Sequence, residues 1–527
     1  MTDVTASAST TILVQVEATA LARWVLWLVE ALERRPGCEV LVRVSDHGDV
    51  ENASALPTLL SLEGMILRPG RACGSDRVER SLFAGPRTEP AGLKPDIVID
   101  LTGGGNEAGA SGATILRPLY NGLSGETALA FALFFHGTPE IAIERLAPGE
   151  DARAVASGTA SLEAASGIGG GIEAVASRVI TLLLKALSGN DAALTFASPL
   201  GPAGEIRRIG RGQVLAYSAK SVARAAVRTA YHLCCHGSHW RVGWRFVEPG
   251  HDVWARRNLS GRRWNVLPDP VDHFFADPFP LAWKGRDFLF FEDLDQKTNK
   301  GIISVVAFDD KGQPGPAMPV LEEPWHLSYP FLIEWGGDIW MIPESSNNHD
   351  IAIYHAVDFP LKWERHAVLV SNVEAGDATI VEHNGLLWML AVVRDGIGGY
   401  SDTLAIWSAR ELFGPWLPHA KNPVLVDDRT ARPAGNMVRR DGVLYRPVQD
   451  CRRTYGSALS FMRVTKLDHD GFAQENEGTI SAGPSWPGSR LHTLNYNGRL
   501  EAIDGYTLRP RLKFMADLVD RWYVPKG

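Results

Sequence analysis

The sequence predicts an α/β domain followed by an all-β domain that folds as a five-bladed β-propeller. Two observations lead to this prediction: strand-like and helix-like segments alternate in the first half, and the second half repeats one strand–turn–strand phrase. Tryptophan, proline and aromatic residues also become denser from Trp240 onward, which marks a change of structural class. We therefore expect an α/β domain over 1–195, a linker with a basic helix over 196–239 and a propeller over 240–527.

The first half opens with a β-like run over 11–17 that leads into an apolar helix over 18–33. A second strand is predicted over 38–44 and a third over 97–101, followed by three glycines at 103–105. This alternation predicts a parallel sheet of Rossmann type. Backbone amides of the glycine run could approach a phosphate or carboxylate, but without a G-x-G-x-x-G fingerprint a plain turn is the alternative.

The first half also resembles a known enzyme family. The resemblance rests on the phrase ILRPLYNG at 115–122, a helix over 127–135 and the phrase HGTP at 136–139. Over about residues 11–190 the chain resembles the core of methionyl-tRNA and sugar formyltransferases, which implies a catalytic Asn, a His-Pro-Ser element and a downstream Asp. Where the family has a histidine before the proline, this chain has Arg117. No residue clearly matches the catalytic Asn or Asp of the family, and the nearest candidates are Asn106 and Asp151. Because a guanidinium stays protonated, it cannot provide the acid–base step of formyl transfer. We expect a shell that binds a nucleotide or sugar, or a scaffold, with formyl transfer as an alternative.

The segment 213–232 has helical periodicity and carries Lys220, Arg224 and Arg228 at intervals of four residues. Such a basic stripe can contact a membrane surface or an anionic partner. More often, such a stripe is simply the solvated face of a linker helix.

The repeated phrase of the second half is an apolar strand, a Gly turn and a second apolar strand, which predicts a hairpin. The stretches 277–292 and 329–344 both span 15 steps, and the copies begin about 50 residues apart, at 277, 329, 377 and 433, with a weaker fifth from 492. That period suits propeller blades of four strands. The residues that open or close the hairpins are Asp277, Glu292, Tyr329, Glu344, Asp377, Arg432, Gln449, Asp450 and His492.

Five such blades in a ring would bring the open ends of the hairpins to one mouth around the central channel. Carboxylates mixed with Arg, His and aromatic residues are typical of a site that handles sugars, because glycosidic chemistry needs one carboxyl to give a proton and another to stay ionised. Crowded carboxylates resist joint ionisation, so at least one pKa is expected to rise.

A second resemblance rests on the phrases ADPF at 276–279, FFE at 290–292, SYPF at 328–331, IPES at 342–345 and RPAG at 432–435. From 240 to about 475 the chain resembles the N-terminal domain of plant glucosamine inositolphosphorylceramide transferases, and through it the propellers of glycoside hydrolase family 43. We expect the glycosyltransferase domain that follows in the plant proteins to be missing, so the sphingolipid reaction is not carried over. The resemblance implies Asp277 as general base or nucleophile, Asp377 as the residue that tunes pKa values, and Glu344 or Glu292 as general acid. The Glu-Gly-Pro motif of the hydrolases has no clear match.

The predicted catalytic residues are thus Asp277, Asp377, Glu344 and Glu292, and the predicted substrate contacts are His326, Tyr329, Arg432, Gln449, Asp450 and His492. We expect a carbohydrate-active enzyme that cleaves or transfers a glycosidic linkage of a carbohydrate or glycoconjugate. One alternative is a glycosyl- or formyl-type transferase whose donor, for example a nucleotide sugar, binds the N-terminal domain; another is a non-catalytic glycan-binding scaffold. No cluster has zinc spacing and no P-loop is present, so we expect neither a metal nor a cofactor.

The bulk composition indicates which partners and which cellular compartment to expect. A net charge of −8 over 527 residues gives no reason to expect nucleic acid as a partner. The five cysteines are odd in number and lack metal-ligand spacing, which favours a reducing compartment. We find no secretory signal and no stretch that reads as a transmembrane segment, and therefore expect a cytoplasmic protein.

Overall fold

The computed structural model describes residues 9–46, 55–90, 92–103, 112–189, 209–452, 454–483, 485–486 and 488–523. The chain forms two compact units, 1–222 with 395–399, and 223–394 with 400–527. The predicted boundary at 195/196 lies outside the described residues, so the predicted domain limits stay predictions.

The first unit is built on a mixed sheet with the strand order β2-β1-β3-β4-β6-β7, and β5 pairs with β4. Its strands are β1 (Thr10–Glu17), β2 (Cys38–Ser45), β3 (Ile97–Asp100), β4 (Thr114–Tyr120), β5 (Leu123–Ser124), β6 (Glu140–Leu146) and β7 (Arg153–Thr159). The pairs among β2, β1, β3 and β4 are parallel, as predicted, whereas β6 and β7 run antiparallel. The unit is therefore α/β with a sheet that is parallel only in part, and its Rossmann type stays a prediction.

The helices of this unit are α1 (Arg23–Glu33), α2 (Leu56–Leu67), α3 (Gly125–Phe135) and α4 (Gly167–Leu187). Short 3-10 turns lie at Ala18–Ala20, Arg80–Phe83 and Gly85–Arg87, so the first helix begins later than predicted. α4 is long and apolar enough to cross a membrane by length and composition, but 67% of its most apolar window is buried. It packs against α1, α2, α3 and the sheet, which accounts for its apolar surface.

The helix α5 (Arg211–Cys234) follows and contains the division between the two units. The second unit adds the helices α6 (Val253–Arg256) and α7 (Lys513–Tyr523) and a 3-10 turn at Ser346–Asn348.

Five antiparallel sheets make up the rest of the second unit, which confirms the predicted five-bladed propeller. Blade 1 consists of β10 (His273–Trp283), β11 (Arg286–Asp295), β12 (Lys300–Ala307) and β13 (Met318–Leu321). Blade 2 consists of β14 (Ser328–Trp335), β15 (Asp338–Glu344), β16 (Asp350–Asp358) and β17 (Lys362–Ser371). Blade 3 consists of β18 (Ala375–His383), β19 (Leu386–Val393), β20 (Thr403–Ala409), β21 (Leu417–Pro418) and β22 (Leu425–Val426). Blade 4 consists of β23 (Val438–Arg440), β24 (Val443–Asp450), β25 (Ala458–Asp468) and β26 (Gly471–Ile480).

Blade 5 closes the ring, because it joins the last strands of the propeller to the first. It consists of β27 (Leu494–Tyr496), β28 (Leu500–Tyr506), β8 (Trp240–Phe246) and β9 (Asn265–Val266). In the β8–β28 register Arg245 lies opposite Glu501. Both side chains are fully buried, and their atoms Nη2 and Oε2 are 2.8 Å apart. An ion pair in the interior thus ties the two ends of the propeller together.

The hydrophobic core lies between the blades. The layer between blades 1 and 2 contains Phe290, Val305 and Met341, and the layer between blades 2 and 3 contains Ile342 and Met389. Apolar residues at alternate positions of each strand point into these layers, since successive side chains of a strand face opposite sides.

The repeated hairpins share one irregularity. Ala276 pairs with Glu292, Ser328 with Glu344 and Gly376 with Val392, and each inner strand bulges immediately after that pair. The bulged residues Asp277, Tyr329 and Asp377 have left-handed backbones, with φ of 51°, 42° and 56°. A bulge takes one residue out of the ladder and redirects its side chain, which here brings the same position of three blades to the channel.

We expect Glu501→Ala to lower the free energy of unfolding by about 3–5 kcal/mol, because it leaves the buried Arg245 guanidinium without a counter-charge. Urea denaturation followed by tryptophan fluorescence measures the change. The double variant Arg245→Met/Glu501→Leu should recover only part of the loss, because it removes the uncompensated charge but leaves the backbone groups that the pair engages without partners. Glu322→Ala removes an exposed partner of Lys300 and should cost less than about 1 kcal/mol; an equal loss in both single variants would contradict the assignment.

Candidate active site

Five acidic side chains gather at the mouth of the propeller. They come from blades 1, 2, 3 and 5, and their exposed fractions do not exceed 14%. They are Asp277, Glu292, Glu344, Asp377 and Asp504. The first four are the carboxylates that the hairpin repeat predicted, and the structure brings all of them together.

Backbone amides of the bulged residues donate hydrogen bonds to carboxylates of neighbouring blades. The amide of Asp277 donates to Asp504 at 3.0 Å, that of Tyr329 donates to Asp277 at 3.2 Å, and that of Asp377 donates to Glu344 at 3.3 Å. In each case the acceptor lies on the preceding blade of the ring. An amide released from the strand ladder needs another acceptor when it is buried, and a neighbouring blade provides it.

Asp277, His492 and Asp504 form the most tightly connected group. His492 Nδ1 lies 2.6 Å from Asp504 and 3.3 Å from Asp277, and the Thr493 hydroxyl donates to Asp277 at 2.6 Å. One possible metal-ligand atom of each residue, a carboxylate oxygen or an imidazole nitrogen, lies within 4.8 Å of the other two. Such a set can chelate a cation. However, Asp504 already accepts the amides of Asp277, His492 and Thr493, so a cation would compete with these bonds.

Burial and crowding change the protonation of the mouth. Burial raises the pKa of Asp277 to about 6; His492 opposes this shift and Asp504 adds to it. Burial likewise raises the pKa of Asp377 to about 7 against the influence of Arg432. The pKa of Glu292 lies well above its usual range, because the side chain is buried and the charges of Asp277 and Glu344 repel its own. At neutral pH the mouth therefore holds protonated and ionised carboxyls side by side.

For His492, neighbouring charges have a larger effect on the pKa than burial has. Burial alone would lower its pKa, but the carboxylates of Asp504 and Asp277 outweigh burial and raise it. The imidazolium form thus supplies positive charge inside the carboxylate cluster.

Arg432 joins blade 4 to the cluster. Its Nε donates to Asp377 at 2.6 Å, and its Nη2 lies 3.9 Å from Glu344. Gln449 donates to the same oxygen of Asp377 at 3.3 Å. The guanidinium also lies over the ring of Tyr455, 4.7 Å from its centroid. Arg432 and Gln449 therefore hold Asp377 in place from blade 4.

Glu292 has a different environment. The closest donor to its carboxyl is His326, whose Nε2 lies 3.4 Å from Oε1. Gly301 donates its amide to His326 Nδ1 at 2.9 Å, which places the imidazole proton on Nε2, towards Glu292. Burial lowers the pKa of His326, so the ring is neutral near pH 7. Among the described residues no hydrogen-bond donor reaches the other oxygen of Glu292.

Two predicted substrate contacts need correction. Tyr329 is fully buried, and its hydroxyl lies 2.8 Å from the Thr379 hydroxyl and accepts the Gly435 amide at 2.8 Å. It braces three blades and offers no ring face to a ligand. Asp450 is also buried, and its carboxylate accepts Arg452 Nε at 2.9 Å instead of joining the other carboxylates.

Several residues of the mouth escaped the sequence interpretation. Asp504 closes the fifth hairpin as Glu292 and Glu344 close theirs, so the repeat contained a signal for it. Trp240 and Tyr455 pack on His492, with ring centroids 3.9 and 5.1 Å away. Trp240 lies on β8, which precedes the repeats and reaches the mouth only through ring closure.

In the α/β unit, Arg117, at which the sequence resemblance predicted a departure from the formyltransferase pattern, is paired with two carboxylates. Arg117 Nε and Nη2 lie 3.0 and 2.9 Å from Asp100, and Nη1 lies 3.5 Å from Glu144. Gly104, Gly105 and Asn106 lie outside the described residues, and Asp151 is exposed. Donor binding by this unit stays a prediction.

Fold and site define a five-bladed β-propeller with a buried carboxylate cluster at its mouth. Residues 268–502 match the family model described as glucosamine inositolphosphorylceramide transferase 1, N-terminal. A glucosamine inositolphosphorylceramide transferase 1 of Arabidopsis thaliana is 34% identical over 262 residues, 46% of this chain and 34% of that protein. The protein of the same name from Oryza sativa subsp. japonica is 34% identical over 233 residues, 42% of this chain and 31% of its own. The chain spans about a third of the length of these curated relatives.

Solved structures that align with part of the chain do so at low sequence identity. A family 117 glycoside hydrolase of Zobellia galactanivorans aligns over 51% of this chain and 90% of its own, with 11% identity and a TM-score of 0.34. An α-L-arabinanase of Cellvibrio cellulosa aligns over 38% and 77%, with 15% identity and a TM-score of 0.30. At these scores the likeness has no bearing on the reaction.

We expect Glu292→Gln to stabilise the protein at pH 8 and to have little effect at pH 4. The pKa of Glu292 is raised in the folded state, so the carboxyl contributes stability below its unfolded pKa and loses it as pH rises through the folded pKa. The gain in the free energy of unfolding should therefore increase as the pH rises from 4 to 8. Urea denaturation over a pH series measures it. The exposed Glu411→Gln is the control and should leave the pH dependence unchanged; a loss of stability at pH 8 in Glu292→Gln would refute the assignment.

Proposed function

We propose that the propeller mouth binds a carbohydrate or glycoconjugate and breaks or transfers a glycosidic linkage. One observation carries the proposal: two carboxyls of the same buried cluster have opposite surroundings. Burial and neighbouring charges raise the pKa of Glu292 well above its usual range, whereas Asp277, with a pKa of about 6, accepts hydrogen bonds that stabilise its ionised form. Glycosidic chemistry requires this combination, since the departing oxygen needs a proton and the anomeric carbon develops positive charge. The name of the plant relatives, which refers to the transfer of glucosamine, supports a carbohydrate as substrate.

We assign the role of general acid to Glu292 rather than Glu344. The oxygens of Glu344 accept the amide of Asp377 at 3.3 Å and the hydroxyl of Ser346 at 3.2 Å, so both are engaged as acceptors. Glu292 keeps one oxygen free of donors among the described residues and is raised in pKa. A proton can therefore leave Glu292 without breaking a structural hydrogen bond.

Asp277 would act on the opposite side of the bond, as nucleophile or as the base that activates water or an acceptor hydroxyl. The Thr493 hydroxyl, the Tyr329 amide and His492 all stabilise its ionised form. Asp377 would orient the sugar together with Arg432, which holds it through a charged hydrogen bond of 2.6 Å.

The charge of the mouth also limits the substrate. The mouth holds five acidic side chains and two cationic ones, Arg432 and His492, because His326 is neutral near pH 7. The raised pKa values of three of the acids reduce this negative excess without removing it. A negatively charged sugar such as a uronic acid would be repelled by this excess. Neutral or amine-bearing sugars fit the electrostatics better.

A second candidate is a glycan-binding propeller without turnover. It is favoured by the fact that both oxygens of Asp277 already accept hydrogen bonds, from Thr493 and from the Tyr329 amide, so this residue also serves the fold. A transferase whose donor, such as a nucleotide sugar, binds the α/β unit is a third. The ion pairs of Arg117 argue against formyl chemistry there.

We also propose a cytoplasmic setting, in which nucleotide-sugar donors are available. All five cysteines are unbonded, as expected for a reducing compartment. Protection of the thiols in intact cells against a membrane-impermeant alkylating reagent tests this proposal; labelling from outside the cell would contradict it.

We expect Asp277→Asn and Glu292→Gln each to lower kcat by about 10²–10⁴-fold on natural linkages, measured as sugar release or transfer over a glycan panel. An aryl glycoside with an acidic leaving phenol needs no proton, so Glu292→Gln should recover most activity on it while Asp277→Asn does not. Asparagine is chosen because it tolerates the left-handed backbone of Asp277.

Asp441→Asn is the matched control. Asp441 also has a left-handed backbone, with φ of 49°, but lies in the hairpin turn after β23, away from the open ends. Its activity should equal that of the wild type. Glycan binding with no turnover in the wild type would favour the non-catalytic candidate, and full activity in Asp277→Asn would remove the enzyme proposal.

We further expect the wild type to bind neutral or amino sugars at least about tenfold more tightly than the matching uronic acids at pH 7, as like charges in an interior site cost more than about 1 kcal/mol. Isothermal calorimetry with matched pairs measures the ratio. Equal affinities would contradict the charge argument without bearing on the catalytic roles.

A further inference from the structure

A helical surface of the propeller unit takes no part in the mouth. It consists of the end of α5, residues 223–234, and the start of α7 with the residues before it, 510–521. The two segments are fixed to each other, because the Arg511 amide donates to the Cys234 carbonyl at 2.9 Å and Arg511 Nε donates to the His232 carbonyl at 3.1 Å. We call this surface the helical patch.

Large apolar side chains of the helical patch lie in solvent. Their exposed fractions range from 43% to 74%, and they are Val227, Leu233, Leu512, Phe514, Met515 and Leu518. Single exposed apolar residues are common on protein surfaces, whereas a contiguous group of large ones marks a contact surface. Within α5 only Val214 is buried, so packing on the protein does not explain the apolar residues of this helix.

Cations alternate with these apolar residues. Arg224, Arg228, Arg511, Lys513 and Arg521 are all exposed, and among the described residues no carboxylate lies within ion-pair distance of them. Asp520 is engaged by Arg241 and Arg509, and Asp517 is the other acid of α7. α5 contains no acidic residue at all. This local excess of positive charge contrasts with the net charge of −8 of the whole chain.

We propose that the helical patch binds the surface of an anionic membrane. Helices that carry Lys and Arg interleaved with Phe and Leu lie in the interface of a bilayer, where the apolar side chains enter the headgroup region and the cations meet lipid phosphates. Nucleic acid would use the cations but would gain nothing from the exposed Phe514 and Leu518. The inference is independent of the glycan chemistry proposed for the mouth, since no residue is shared.

Flotation of the full chain with phosphatidylcholine vesicles, with and without phosphatidylserine, tests the proposal. We expect binding only to vesicles that contain phosphatidylserine, and weaker binding at high salt because exposed charges are screened. The triple variant Arg224→Gln/Arg228→Gln/Lys513→Gln should bind about 100-fold more weakly, as each cation near the surface accounts for about a fivefold factor. Phe514→Ser/Leu518→Ser should weaken binding at every salt concentration.

The matched control is Lys284→Gln/Lys311→Gln/Lys362→Gln, which removes three exposed lysines outside the helical patch and should bind as the wild type does. All substitutions are at exposed positions, so the thermal unfolding midpoint should stay unchanged. Failure of the wild type to float with phosphatidylserine vesicles, or equal loss in the control, would overturn the proposal. A dimer that Phe514→Ser/Leu518→Ser dissolves, with no vesicle binding, would instead assign the patch to a second copy of the chain.

Discussion

The structure of the mouth depends on one interaction, a hydrogen bond from a bulged amide of one blade to a carboxylate of the preceding blade. Asp277, Tyr329 and Asp377 are each held in a left-handed conformation that costs on the order of 1 kcal/mol or more outside glycine. Each also loses its place in the strand ladder. The carboxylates of Asp504, Asp277 and Glu344 accept the three amides, so the strained conformation and the closure of neighbouring blades stabilise each other.

This arrangement explains why the same residues serve the fold and the proposed chemistry. A carboxylate that must accept a buried amide has to be buried itself, and burial raises the pKa of Asp277, which accepts the Tyr329 amide. The hydrogen bonds are therefore made at the cost of placing several acids in one low-dielectric space. The positive charges of Arg432 and His492 compensate part of the repulsion and desolvation of these acids. Where they do not, the carboxyls keep protons near neutral pH.

The closure of the ring relies on a second buried charge. The Arg245–Glu501 pair lies between β8 and β28 and joins the first strand of the propeller to its last hairpin. The guanidinium Nη1 also donates to backbone carbonyls of residues 259, 260 and 262, which fixes the side chain on the loop after β8. Without this closure Trp240 would not reach His492, and Asp504 would not meet Asp277. The fifth blade thus closes the ring of the propeller and also contributes residues to the mouth.

The sequence alone determined the hairpins and their register, because alternating apolar residues and Gly turns are local signals that leave little choice of pairing. Glu292 and Glu344 could therefore be assigned to the mouth beside Asp277 and Asp377 from the repeat by itself. The tertiary structure decided what could not be read from one hairpin: that Tyr329 is a brace rather than a ligand contact, that Asp450 pairs with Arg452, and that Asp504, Trp240 and Tyr455 complete the cluster. These facts depend on which blade lies beside which and on how a residue is buried there. Contacts between residues that are hundreds of positions apart leave no periodic trace in the chain.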